Sequence, residues 1–163
     1  MVIMGVAGCG KSSLAAAIAD AQGMALIEGD DRHSAYNREK MGQGIPLTDA
    51  DRAGWLADLA QALHAAPRGL VLTCSALRRS YRDVLRASAP NLRFVFLELT
   101  RDEAVARVRA RSAHFFSASL VDSQFATLES PVGELGVLRV DATLAPAQSL
   151  DQVVAWLRNS SSA

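Results

Sequence analysis

Residues 5–12 read Gly5-Val6-Ala7-Gly8-Cys9-Gly10-Lys11-Ser12, and they match the phosphate-binding pattern G-x-x-x-x-G-K-[ST]. A short apolar run at 1–4 predicts a strand before this stretch, and the run at 13–19 predicts a helix after it. Glycine lets the backbone curl so that successive N–H groups point at phosphate oxygens. The N-terminus of the helix adds partial positive charge. The stretch therefore predicts a loop that binds a nucleoside triphosphate.

Two side chains of this loop are candidates for chemistry. Lys11 can reach the β- and γ-phosphates and is a candidate catalytic residue, and the Ser12 hydroxyl can coordinate Mg²⁺. The residues expected to contact the nucleotide are Gly5, Val6, Ala7, Gly8, Cys9, Gly10, Lys11, Ser12 and Ser13. The adenine base is expected near residues 142–146.

The composition argues against several other classes of protein. The 163 residues include 17 Lys plus Arg and 17 Asp plus Glu, so there is no electrostatic case for binding nucleic acid or a membrane surface. No apolar run approaches the roughly 20 residues of a membrane span. Cys9 and Cys74 have no spacing that suggests a disulfide or a zinc site. We expect a cytoplasmic protein.

Strand-like and helix-like segments alternate along the whole chain. Strands are predicted at 1–4, 24–28, 70–74, 92–97 and 136–141, with helical segments between and after them. This order predicts an α/β fold of the three-layer P-loop kinase type, with a five-stranded parallel sheet, helices on both faces and a short lid. One domain is expected over 1–158, with the lid at about 107–128 and a frayed tail at 159–163.

Acidic residues follow the second predicted strand. Right-handed crossovers bring the carboxyl ends of all parallel strands to one edge, so Asp30 and the Cys74-Ser75 turn should meet the phosphate loop in one crevice. Asp30 could accept a proton from a substrate hydroxyl or orient Mg²⁺ through water. A helix cap is the alternative role for Asp30. Asp31 could share the work or begin the next helix.

Basic and polar residues surround the same predicted crevice. An arginine cluster beside a phosphate site suggests a substrate with a carboxylate or phosphate, because guanidinium binds both in bidentate fashion. For this cluster of Arg78, Arg79 and Arg82 the alternative is a solvated basic face. Arg107 and Arg111 could stabilise charge on the transferring phosphoryl group, and an exposed i, i+4 pair is the alternative. The candidate substrate contacts are Asp30, His33, Lys40, Arg52, Ser75, Arg78, Arg79, Arg82 and His114. For a substrate carboxylate, Arg78 and Arg82 are preferred over Arg52 and Arg79.

Two longer blocks give the chain a specific resemblance. Residues 44–56 fit G-x-P-L-x-D-x-D-R-x-x-W-L, and residues 74–83 fit C-S-A-L-[RK]-x-x-Y-R-D. Together with Glu28-Gly29-Asp30-Asp31-Arg32-His33, His114-Phe115-Phe116 and the segment 124–129, they make the chain similar to the small P-loop gluconate kinases. The resemblance implies phosphorylation of D-gluconate by ATP with Mg²⁺, a homodimer, and a substrate contact from Gln124. It covers nearly the whole chain.

Alternative functions differ at identifiable positions. A shikimate kinase would carry three glycines after the third strand, where this chain has Cys74-Ser75-Ala76. An adenylate kinase would need a longer lid. A nucleotide-binding module without turnover would need neither Asp30 nor the arginine-rich lid. These comparisons favour a small-metabolite kinase.

Overall fold

The computed structural model describes residues 1–66, 69–110 and 118–159. The strands are β1 Val2–Met4, β2 Ala25–Glu28, β3 Leu70–Thr73, β4 Phe94–Glu98 and β5 Val137–Asp141. The helices are α1 Lys11–Gln22, α2 Ala35–Gly42, α3 Asp49–His64, α4 Arg79–Ser88, α5 Arg101–Ala110, α6 Ala118–Thr127 and α7 Pro146–Asn159. Within these ranges, none of the helices has the length and hydropathy needed to cross a membrane.

The five strands form one parallel sheet in the order β2-β3-β1-β4-β5. The predicted five-stranded parallel sheet is therefore confirmed. Because β1 lies in the middle, its carboxyl end leads into the phosphate loop at the centre of the sheet edge. The ends of β2 and β3 lie beside it, with Glu28 in register with Thr73. This topology places the acidic turn after β2 next to the phosphate loop.

Alternate residues of the central strands pack against opposite helical layers, as the period of two in a strand requires. One core joins Ile3, Val71 and Val95 to α1 and α7. The other core joins apolar residues of the same strands to α3 and α4, namely Val2, Met4, Leu72, Phe94, Phe96, Leu56, Leu59 and Leu85. Helices thus cover both faces, and the sheet edge that carries the loops stays accessible.

The sequence predicts helical segments at 32–42 and 149–157, and the structure differs from both for local reasons. A 3-10 turn occupies Gly29–Arg32, and α2 starts only at Ala35 because the Ser34 hydroxyl accepts a hydrogen bond from the Asn37 N–H at 3.1 Å. Helix α7 begins early, at Pro146, where a proline is suited to the first turn. It continues to Asn159, which the sequence assigned to the frayed tail.

Glycine is required at two positions that shape the site. Gly10 precedes α1 with a φ of 97°, a conformation that side chains rarely adopt. Gly29 has no room for a side chain, because a Cβ atom there would lie 2.1 Å from the carbonyl oxygen of Thr73. The close approach of Gly29 to β3 brings the acidic turn against the strand next to the phosphate loop.

Candidate active site

The phosphate loop connects β1 to α1 and is closed by its own lysine. The Lys11 ammonium donates hydrogen bonds to the carbonyl oxygens of Gly5 at 3.1 Å and Val6 at 3.0 Å. Positive φ angles at Gly8 and Gly10 allow the tight turn between them. The lysine charge and the N-terminus of α1 therefore lie together, which is the arrangement that binds phosphate groups.

A chain of hydrogen bonds links the phosphate loop to β2 and β3. The Glu28 carboxylate accepts from the Thr73 hydroxyl at 2.6 Å and from the Ser12 hydroxyl at 3.1 Å. The Thr73 hydroxyl in turn accepts from the Gly29 N–H at 3.1 Å. Ser12 was predicted as a metal ligand, whereas Glu28 and Thr73 were not predicted as site residues. Their positions at the ends of adjacent parallel strands were the available signal.

A cavity of about 190 Å³ lies in front of this chain, at the carboxyl edge of the sheet. It brings together five of the predicted substrate contacts with part of the phosphate loop. They are Asp30, His33, Arg52, Ser75 and Gln124, which share the wall with Lys11, Ser12, Glu28, Trp55 and Thr73. The convergence expected from the topology is therefore present. The cavity combines carboxylates, a guanidinium, an imidazole and hydroxyl groups.

His33 is held in this wall by an aromatic partner. Its ring stacks on Trp55 with centroids 4.1 Å apart, and the Trp55 indole N–H donates to the Gly29 carbonyl oxygen at 2.7 Å. The buried Nδ1 atom of His33 has no hydrogen-bond partner in the described part of the chain. Because an unpaired buried acceptor costs less than an unpaired N–H, the proton belongs on Nε2. Burial also lowers the pKa of His33, which favours the neutral ring.

Arg52 differs from the other arginines around the site. Its guanidinium donates to the Leu47 carbonyl oxygen and lies 5.7 Å from the centre of the Tyr81 ring. Within the described ranges it makes no ion pair with a carboxylate. The side chain is half-buried and lines the cavity. A positioned guanidinium without an acidic partner is suited to bind a carboxylate.

Lys40 and Arg78 each form an ion pair with an aspartate. Lys40 bonds Asp51 at 2.8 Å, and this hydrogen bond is the main reason why the pKa of Asp51 is lowered to about 2. Arg78 donates to Asp49 at 2.6 Å, and Asp49 also accepts from the Tyr81 hydroxyl. Neither Lys40 nor Arg78 lines the cavity, so these contacts fix α2 and α4 against the start of α3.

The positions of Arg82 and Arg79 do not fit the predicted role of substrate contact. Arg82 is fully buried, and its guanidinium holds the Glu134 carboxylate at 2.5 and 3.0 Å and the carbonyl oxygens of Ala76 and Leu77. The preference for Arg82 as the carboxylate ligand needs correction, because each of its three guanidinium nitrogens already donates to a protein acceptor. Arg79 is exposed and forms a long pair with Asp83 at 4.0 Å, outside the cavity.

Gln124 joins α6 to the phosphate loop. Its side-chain oxygen accepts a hydrogen bond from the Ala7 N–H at 2.6 Å. The residue also lines the cavity of about 190 Å³ described above, so it reaches the predicted substrate region while it supports the loop. Arg111 and His114 lie outside the described residues, as does the middle of the predicted lid.

A second cavity of about 510 Å³ lies on the other side of the phosphate loop. It shares Gly8, Gly10 and Ser13 with the first cavity and extends to Ala142, Leu144 and Pro146. Arg107 lies in its wall and donates to the Ala142 carbonyl oxygen at 3.0 Å. This is the region where the adenine base was expected. Arg107 therefore lies between Ala142 and Gly8 of the phosphate loop, whose carbonyl oxygen is 3.5 Å from its guanidinium.

Two cavities meet at one phosphate loop, and the first of them holds the carboxylate of Asp30. This arrangement on a parallel sheet defines a P-loop kinase. A family model described as an AAA domain matches residues 1–131. The chain belongs to the gluconokinase family of these kinases.

The similarity extends over most of each relative. The chain is 43% identical to a gluconokinase of Gluconobacter oxydans, covering 94% of this chain and 88% of the relative. It is 41% identical to the thermoresistant gluconokinase of Escherichia coli, with the same two coverages. The crystal structure of a gluconokinase from Sinorhizobium meliloti superposes with a TM-score of 0.90 at 45% identity, covering 97% of this chain and 90% of that one. The family assigned from the sequence motifs is confirmed.

Proposed function

We propose that this protein transfers the γ-phosphoryl group of ATP to the primary hydroxyl of D-gluconate, giving 6-phospho-D-gluconate and ADP. One observation carries the proposal. The first cavity, which we call the acceptor cavity, holds both Asp30 and Arg52, and Arg52 forms no ion pair with a carboxylate within the described ranges. A hydroxy acid needs a base for its hydroxyl and a cation for its carboxylate. Names of relatives at 41–43% identity supply the identity of the acid.

Asp30 is the proposed base. Its carboxylate accepts the proton of the primary hydroxyl as the hydroxyl oxygen forms a bond to the γ-phosphorus. The bond between the γ-phosphorus and the β,γ-bridging oxygen breaks, and that oxygen leaves with ADP. Lys11, which reaches the loop carbonyls from the start of α1, offers its positive charge to the phosphate oxygens. Asp30 lies in the turn Gly29–Arg32 and lines the same cavity as this lysine.

Oxygen ligands suited to Mg²⁺ lie at the phosphate loop. Ser12 and Glu28 present a hydroxyl and a carboxylate 3.1 Å apart, and Asp30 lines the same cavity. Mg²⁺ bound with a nucleotide usually takes one or two protein oxygens and fills its other positions with phosphate oxygens and water. When bound, Mg²⁺ neutralises charge on the phosphates. In this proposal Ser12 is the direct protein ligand, with Glu28 or Asp30 acting through water.

Gluconate recognition is assigned to the wall opposite the phosphate loop. Arg52 takes the carboxylate, His33 donates from Nε2 to a substrate oxygen, and Ser75 and Gln124 contact the hydroxyl groups. Lys40, Arg78, Arg79 and Arg82 are left out of this set because they lie outside the cavity. His114 stays a proposed substrate contact on the sequence pattern and the family resemblance.

The nucleotide base is assigned to the second cavity. Arg107 lies between the Gly8 carbonyl oxygen, at 3.5 Å, and the Ala142 carbonyl oxygen, at 3.0 Å. From this position its guanidinium can stack on the base as well as approach the phosphates. Arg111 is retained as a proposed ligand of the transferring phosphoryl group, on the reasoning from sequence.

We propose a homodimer in the cytoplasm as the working form. Exposed apolar residues support the association, with Leu135 at 95% and Val132 at 54% of their full accessibility. Sedimentation velocity tests it: a dimer that dissociates in a Leu135→Glu variant is expected. A monomer at micromolar concentration in the unmodified protein contradicts it.

The choice of acceptor tests the function. ADP release is measured with MgATP and D-gluconate, other aldonates, shikimate, D-glucitol or no acceptor. D-Glucitol is the matched control because it keeps the hydroxyl chain of gluconate and lacks the carboxylate. Turnover confined to aldonates, with gluconate preferred, is expected. Equal turnover with D-glucitol contradicts the role of Arg52, and turnover with shikimate alone contradicts the substrate.

A further inference from the structure

Thr73 has contacts that the proposed mechanism leaves unused. It ends β3, pairs in register with Ile3 of β1 and Glu28 of β2, and is 3% exposed. Its hydroxyl accepts the Gly29 N–H at 3.1 Å and donates to Glu28 Oε2 at 2.6 Å. A β-branched side chain in a buried strand has little rotational freedom. The hydroxyl is therefore fixed in direction by the sheet itself.

The direction of this hydroxyl decides where the Glu28 carboxylate points. Glu28 Oε2 accepts from both Thr73 and Ser12, the second at 3.1 Å. A serine hydroxyl has one proton and two lone pairs. When its proton goes to Glu28, the lone pairs of Ser12 are turned away from that carboxylate and are available to a cation.

We propose that Thr73 is a positioning residue that aims Glu28 at Ser12 and thereby sets the Mg²⁺ affinity of the nucleotide complex. This inference rests on the proposed kinase function. Thr73 acts only through Glu28, and its hydroxyl is occupied by protein partners on both sides. Loss of the hydroxyl frees the carboxylate to rotate and leaves the Ser12 proton without a fixed acceptor.

The test compares Thr73→Val, which keeps the shape and branching, with Thr73→Ser, which keeps the hydroxyl. ATP binding is measured by calorimetry in EDTA and during a Mg²⁺ titration, with no acceptor present. For Thr73→Val we expect metal-free affinity within about twofold of the parent and a Mg²⁺ midpoint raised about tenfold, the scale of one hydrogen bond to a charged group. For Thr73→Ser we expect a midpoint within about threefold of the parent.

A merely structural role gives a different result. If Thr73→Val weakens ATP binding equally with and without Mg²⁺, or leaves the Mg²⁺ midpoint unchanged, the proposal is overturned. If Thr73→Val fails to fold, the Mg²⁺ midpoint of ATP binding is measured on the Glu28→Gln variant instead. Its midpoint should rise at least as much, and an unchanged midpoint also overturns the proposal. Because no acceptor is present, these readings remain distinct from a failure of gluconate phosphorylation.

Discussion

His33 and Trp55 stack with their rings 4.1 Å apart and 17° from parallel, which holds a neutral imidazole in the acceptor cavity. Burial is the main cause of the lowered pKa of His33, with Arg52 and Arg38 adding to it and Asp30 opposing it. The unfolded chain, with an ordinary histidine pKa of about 6.5, therefore binds this proton more readily than the folded protein. The free energy of unfolding should fall as the pH drops below that value.

Replacing His33 with glutamine should reduce this pH dependence. Glutamine keeps a hydrogen-bonding side chain and does not titrate. Urea denaturation between pH 7.5 and pH 5 measures the effect: the parent protein should lose more stability on acidification than His33→Gln. Parallel curves for the two proteins would mean that His33 titrates normally in the fold.

Arg52→Lys should raise the KM for gluconate about 10- to 100-fold, because lysine keeps the charge and loses bidentate binding of a carboxylate. The KM for ATP should change less than about twofold, since Arg52 lies on the acceptor side. Initial rates at varied gluconate measure the effect. The matched control is Arg78→Lys, because Arg78 pairs with Asp49 outside the cavity. This variant should shift the KM for gluconate by less than about fivefold. A larger effect at Arg78 would reverse the assignment.

Asp30→Asn should lower kcat by about 10²- to 10⁴-fold, because the amide cannot accept the hydroxyl proton. Binding of MgADP should persist, since the phosphate loop is unchanged. Asp31→Asn is the control in the same turn, because Asp31 is as exposed as Asp30 and does not line the cavity. Single-turnover rates and calorimetry separate chemistry from binding. Near-normal turnover by Asp30→Asn, or a greater loss in Asp31→Asn, would remove Asp30 from the role of base.

Arg82→Ala should destabilise the protein by about 3 kcal/mol, because it removes a fully buried guanidinium that pairs with Glu134 and leaves the Ala76 carbonyl oxygen without this donor, while Glu134 keeps its pair with Arg86. Arg79→Ala, on the exposed side of the same helix, should change stability by less than about 0.5 kcal/mol. Chemical denaturation of both variants measures the difference. An Arg82→Ala variant with unchanged stability and a raised gluconate KM would restore Arg82 as the substrate ligand.

The fold and the phosphate loop could be predicted from the sequence because their signals are local. Strand and helix segments alternate, and the loop pattern is complete within residues 5–12. The position of Asp30 followed from topology, since parallel strands share a carboxyl edge. The same local reasoning could not rank the arginines. Arg82 is paired with Glu134, which lies 52 residues away, and no helical spacing reveals that partner.

Glu28 and Thr73 illustrate a different limit. Each ends an ordinary strand, and their hydrogen bond depends on the register of β2 against β3. That register is set by packing of both strands in the sheet, which a pattern in either segment does not record. Trp55 belongs to the sequence block 44–56, yet its stacking on His33 depends on the approach of the turn Gly29–Arg32 to α3, which that block does not record.

The most direct test is to identify the product formed by the purified protein from MgATP and D-gluconate. Phosphorus and carbon NMR locate the phosphate, and ADP release gives the stoichiometry. The account predicts one ADP per 6-phospho-D-gluconate, with the phosphate on the primary carbon and little product from the Asp30→Asn variant. Phosphate on another carbon, ADP released without a phosphorylated acid, or full product formation by Asp30→Asn would contradict it.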